Sequence, residues 1–172
     1  MMARHIVFAG LLLASSAAPV QAQMLGGDAA ACSLREGPAI QANIVGLKDR
    51  TGGLKLELYP ANEQDFLKDD RDLIQEGKVF RRVTAAMPAS GPVALCIRVP
   101  RPGRYALLFT HDRDGKNKFN FWSDGAGFVS NAKIGRSRPR VAGAIVDVMA
   151  GVTVVTIQVQ YLRGLGGFAP IK

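Results

Sequence analysis

The sequence predicts an all-β fold, a single antiparallel β-sandwich of about seven strands. Three observations predict it. From Ala39 onward, short β-rich runs are broken by Gly, Pro and Asp clusters. Sustained helical periodicity is absent. Two runs alternate clearly. Between Pro92 and Val99, the residues Val93, Leu95, Ile97 and Val99 share one face and leave Ala94, Cys96 and Arg98 on the other. With the first face in the core, Cys96 points away from it. Between Val155 and Tyr161, the set Val155, Ile157, Val159 and Tyr161 opposes Thr156, Gln158 and Gln160, the pattern of a half-buried antiparallel strand.

In chain order, residues 1–22 read as a secretory signal peptide. Arg4 and His5 form a basic start, Ile6 to Ala14 an apolar stretch, and Val20-Gln21-Ala22 a small-residue cleavage site. The apolar stretch is too short for a membrane-spanning helix, which needs roughly 20 apolar residues. The expected product is therefore exported, periplasmic or secreted, with no transmembrane segment after signal removal. Residues 23–38, rich in Ala and Gly, are expected to be loose except where Cys32 pins them. Strands are placed near 40–47, 53–59, 79–85, 92–99, 103–111, 141–148 and 152–162, within one domain over 39–163. The stretch 62–78 carries six of the fourteen acids, Glu63, Asp65, Asp69, Asp70, Asp72 and Glu76. Its Phe66, Leu67, Leu73 and Ile74 are spaced for one helical face, so a short helix or ordered loop is expected there. The tail 164–172, with Gly164, Gly166 and Gly167, reads as punctuation.

Export bears on the two cysteines. In an oxidising compartment Cys32 and Cys96 are expected to form a disulfide, tying the N-terminal segment across the outside of the strand that bears Cys96.

No catalytic or cofactor constellation is assembled. After signal removal His111 is the one histidine, which excludes mechanisms that need two imidazoles. No nucleophile-elbow sequence surrounds any serine, no phosphate-binding glycine fingerprint is present, and too few ligands remain for zinc. The densest polar segment runs from His111 to Asn120, followed by Phe121, Trp122, Ser123, Asp124 and Gly125. Asp112 and Asp114 alternate like the first two ligands of a calcium loop. The third alternate position is Lys116, however, and no Gly follows it, so the expectation is no metal and an Asp/Asn/Gly turn held by side-chain to backbone hydrogen bonds. Candidate binding residues in this segment are His111, Asp112, Asp114, Asn117, Trp122 and Asp124. Phe119, Phe121 and Trp122 are expected to cap a sandwich end rather than to face a ligand.

Several of these segments carry a resemblance. Gly46-Leu47-Lys48, Leu58-Tyr59, Pro102-Gly103-Arg104-Tyr105-Ala106, His111-Asp112-Arg113-Asp114, Asp124-Gly125-Ala126-Gly127-Phe128 with Asn131, and the closing strand to Tyr161 follow the order of an uncharacterised bacterial exported family, domain of unknown function 2141. The resemblance covers nearly all of 39–163. It implies an envelope or secreted protein with a sandwich of the immunoglobulin or transthyretin-like kind, and it brings no activity with it. A transthyretin-like hydrolase is only faintly echoed by Tyr161-Leu162-Arg163-Gly164, where Leu162 would turn Arg163 to the opposite strand face.

The net charge is +8, and it is unevenly spread. Arg98, Arg101, Arg104, Arg113, Lys116, Lys118, Lys133, Arg136, Arg138 and Arg140 face only Asp112, Asp114 and Asp124 in the same stretch. Arg136, Arg138 and Arg140 surround Pro139 in a turn, free to meet an anionic lipid or lipopolysaccharide surface. Nucleic acid is not expected in that compartment. The leading functional expectation is a binding or accessory module. Its rival is a small hydrolase that uses His111 with Asp112 or Asp124. The two separate on whether His111 is open to a concave site or packed at a strand end.

Overall fold

The computed structural model describes residues 23–171; the expected signal peptide lies outside the described residues. The strands are β1 (Gln23–Leu25), β2 (Ala39–Val45), β3 (Gly53–Pro60), β4 (Arg81–Ala86), β5 (Val93–Arg98), β6 (Gly103–Asp112), β7 (Gly125–Phe128), β8 (Ile145–Val148), β9 (Val152–Gln158), β10 (Gln160–Leu162) and β11 (Phe168–Pro170), with short helices α1 (Ala29–Ser33) and α2 (Asp70–Gln75). They form two sheets. The smaller runs β1-β5-β2-β9, and the larger runs β11-β10-β7-β6-β3-β4 with β8 on β6.

Strand alternation builds the core between them. Leu54, Leu56 and Leu58 of β3 and Leu107 and Phe109 of β6 meet Ile40, Ala42 and Ile44 of β2 and Leu95 and Ile97 of β5 in one hydrophobic cluster. The intervening residues of β3 and β6 point to the other face of the larger sheet. There Tyr59, Ala106 and Phe128 are covered by Phe66 and by Leu73 of α2. The rest of that outer face is left for the groove described below.

Cys32 and Cys96 are joined, with Cα atoms 5.9 Å apart. The bridge lies on the β5 face turned away from the main core, where Ala31, Cys32, Ala39 and Cys96 form a separate cluster. The N-terminal segment is thus tied across the outside of β5, as expected.

Several expectations need correction. In residues 23–38, expected to be loose, β1 pairs in parallel with β5 and α1 carries Cys32 of the disulfide. The fold is not wholly antiparallel, because β9 pairs in parallel with β2 from Ala39 against Val152 to Val45 against Gln158. Alternation encodes which face is buried, not strand direction. The expected strand 152–162 divides into β9 and β10, which join different sheets. The expected strand 141–148 begins only at Ile145, since Val141–Gly143 closes a 3-10 turn with the Gly143 amide on the Arg140 carbonyl. In 62–78 the helix is confined to α2. Phe66 and Leu73 are buried, whereas Ile74 is exposed and Leu67 has φ 61°, so the four apolar residues do not share one helical face. The tail contributes β11, paired with β10. No helix among the described residues is long and apolar enough to cross a membrane.

Candidate functional site

A groove of about 1090 Å³ opens on the outer face of the larger sheet. Its floor comes from outward positions of four strands: Lys55 and Glu57 of β3, Leu108 and Thr110 of β6, Ala126 and Phe128 of β7, and Leu162 of β10. Leu67 to Asp70 and Arg82 wall one side, Asn117, Phe119, Phe121 and Trp122 another, and Ile134 to Pro139 a third. Phe119 and Phe121 stack edge-on at 5.2 Å and both lean on Phe168. Phe119, Phe121 and Trp122, expected to cap a sandwich end rather than to face a ligand, line the groove. Trp122 is 86% exposed at the rim.

Most charges here neutralise one another. Arg82 pairs with Glu57 at 2.5 Å and with Asp70 at 2.8 Å; Lys68 pairs with Glu76; Lys55 pairs with Asp112 at 3.1 Å. Arg136 and Arg138 line the same groove and enter no ion pair among the described residues. Arg138 is steadied by donating to the Phe66 carbonyl at 3.0 Å. Arg140 lies outside the groove, so the three arginines grouped by sequence are divided.

His111 and Asp112, adjacent in sequence, face opposite ways. His111 is fully buried, and both of its ring nitrogens are engaged. Its Nε2 lies 2.8 Å from the Thr51 carbonyl, which can only accept, so Nε2 carries the proton. Nδ1 then accepts from the Tyr161 hydroxyl at 2.7 Å, and that hydroxyl accepts from the Lys48 amide at 3.0 Å. Burial holds the imidazole below its ordinary range and raises the Tyr161 phenol to about 12. A neutral histidine locked at a strand end offers nothing to a groove ligand. The arrangement needed by the hydrolase alternative, His111 beside Asp112 or Asp124 in a concave site, is not present.

The loop after β6 is an Asp/Asn/Gly turn of the expected kind. Asp112 Oδ2 accepts from the Asn117 amide, Asp114 Oδ1 from the Lys116 amide, and Asp124 from the Arg113 and Asn120 amides and the Ser123 hydroxyl. Lys116 and Asn117 lie differently from what their places in the sequence suggest. The Lys116 side chain is 75% exposed and approaches Asp114 from outside at 3.6 Å, so it does not stand among the acids. Asn117 takes φ 61°, supplying a left-handed turn without a Gly. Asp112, Asp114 and Asp124 each bring one oxygen within 4.8 Å of the others.

Of the candidate binding residues, Asn117, Trp122, Arg136 and Arg138 line the groove. The floor residues Leu108, Ala126, Phe128 and Leu162 are not among those candidates. Their signal was the second face of β6 and β7, where apolar residues stand on both faces of one strand. Neither a curated protein nor a solved structure matches the chain. A family profile does match, over residues 42–156, described as an uncharacterised protein conserved in bacteria. On that match, which spans more than half of its length, the chain belongs to the bacterial family of domain of unknown function 2141.

Proposed function

We propose that the chain is an exported binding module, a β-sandwich of the immunoglobulin or transthyretin-like kind, that takes an anionic envelope lipid in the groove of its larger sheet. The observation that carries this reading is the groove's division of labour. The apolar part of its floor, Leu108, Ala126, Phe128 and Leu162, lies beside the two lining cations, Arg136 and Arg138, that have no carboxylate partner among the described residues. An acyl chain gains roughly 0.8 kcal/mol for each buried CH₂. An anionic head then meets guanidiniums that suit phosphate or carboxylate oxygens. The cavity, at about 1090 Å³, is slightly larger than the usual small-molecule site of roughly 300–1,000 Å³. The disulfide and the signal-like start support export.

The test uses Trp122, the chain's one tryptophan, which stands on the groove wall. Titration with a single-chain anionic lipid below its micelle concentration should shift its emission to the blue and saturate at one lipid per chain. The neutral lipid of equal length should bind at least ten-fold more weakly. Equal response to both, or none to either, would remove the reading.

A further inference from the structure

The loop between β6 and β7 is a calcium site, we infer, with Asp112, Asp114 and Asp124 as its ligands. The inference does not depend on what fills the groove. One oxygen is left over: Asp112 is 4% exposed, its Oδ2 takes both the Lys55 ammonium and the Asn117 amide, and its Oδ1 is buried with no hydrogen-bond partner among the described residues. A buried carboxylate oxygen without a donor or cation is costly.

Its neighbours are hydrogen-bonded, but mainly by neutral groups. Asp124 is 1% exposed and receives only neutral donors, two amides and a hydroxyl. Asp114 is bound by the Lys116 amide and the Asn120 side-chain amide. Three carboxylates that bring oxygens within 4.8 Å of one another repel; Lys55 answers Asp112 at 3.1 Å and the exposed Lys116 approaches Asp114 at 3.6 Å, while Asp124 enters no ion pair among the described residues. Oxygens separated by up to 4.8 Å can share one ion at the 2.3–2.6 Å typical of Ca²⁺.

The donor set selects the ion. Every ligand is a hard oxygen, which disfavours zinc and copper. Each carboxylate is also held by its own hydrogen bonds and cannot rearrange into the strict octahedron that Mg²⁺ demands, whereas Ca²⁺ accepts irregular shells. The ammonium of Lys55, and more distantly that of Lys116, lower the affinity, which places the site among weak, extracellular-type ones with a Kd of roughly 0.1–1 mM. The ion would join the end of β6 to the start of β7 and fix the root of the loop that carries Phe119, Phe121 and Trp122.

The test is calorimetric titration of the metal-stripped exported chain with CaCl₂, with Trp122 emission followed in parallel. One saturable site in that affinity range is expected, with Mg²⁺ at least ten-fold weaker and the melting temperature raised by about 5 °C at saturation. Asp114→Asn, on the partly exposed ligand and so least disturbing to the fold, should weaken binding ten-fold or more. Lys116→Asn should strengthen it several-fold. Absence of a saturable signal up to about 10 mM in both the unaltered chain and Lys116→Asn would overturn the site, as would unchanged affinity in a folded Asp114→Asn.

Discussion

Asp49 and Arg113 lie 64 positions apart, yet they close the same corner of the molecule. Arg113 donates to Asp49 through Nε at 3.0 Å and Nη2 at 2.5 Å, and to the Ser123 carbonyl through Nη1 at 2.8 Å. Those guanidinium bonds, together with the Thr51 hydroxyl and amide, lower the Asp49 carboxyl to about 2 from 3.8. The folded value lies below the unfolded one, so the contribution is fully present above about pH 4 and is lost as pH falls towards 2. With the Asp49 side chain 30% exposed, screening reduces it to on the order of 1 kcal/mol. Urea unfolding at pH 5 and pH 2.5 should show Asp49→Asn less stable than the unaltered chain at the higher pH and nearly level with it at the lower. A difference that stays constant across that interval would show that the pair is not the source. The same corner explains why His111 and Asp112 misled as a pair. Adjacent strand residues point to opposite faces, and a segment rich in polar residues does not announce which face is sealed.

β7 shows at the level of an element why some strands were invisible. Its residues are Gly-Ala-Gly-Phe, without the β-branched content by which strands are recognised. The glycines serve the packing of β7 against the chain that follows it. A Cβ at Gly127 would lie 2.4 Å from Ile157 Cγ2, and one at Gly125 2.5 Å from the Tyr161 ring. Both neighbours belong to the main core. Gly127→Ala should therefore cost about 1–3 kcal/mol by overpacking, read as a lower denaturation midpoint at unchanged m-value. An unchanged midpoint would mean that the core yields there freely. The undivided strand expected over 152–162 has a related cause. Ile157, Val159 and Tyr161 keep facing one core while the chain passes from one sheet to the other, so alternation continues through the change of partner. The disulfide was legible because compartment and cysteine count point to it before any geometry. Its long closed loop is worth on the order of 4 kcal/mol on the chain-entropy view.

For the whole molecule, the all-β character, the two alternating strands and the basic stretch from Arg98 to Arg140 were open to reading. The groove was not, since its floor is assembled from single outward residues of four strands. The structure also changes what the basic stretch predicts. Were it a solvated surface, Arg136, Arg138 and Arg140 would contribute alike to attraction by anionic vesicles, and that attraction would collapse as the Debye length shrinks from about 30 Å at 0.01 M salt to about 8 Å at 0.15 M. With Arg136 and Arg138 lining the groove and Arg140 outside it, the three should separate. Arg136→Gln with Arg138→Gln should weaken binding of a single-chain anionic lipid by ten-fold or more, while Arg140→Gln leaves it within two-fold. Raising salt over that range should weaken lipid binding only a few-fold, because burial of the acyl chain on Leu108, Ala126, Phe128 and Leu162 is not screened. Arg138 also holds the Phe66 carbonyl, so Arg136→Gln alone, which breaks no hydrogen bond or ion pair among the described residues, should reproduce part of the loss. Equal losses from all three arginines, with steep salt dependence, would assign the charge to the surface and leave the groove without an anionic ligand.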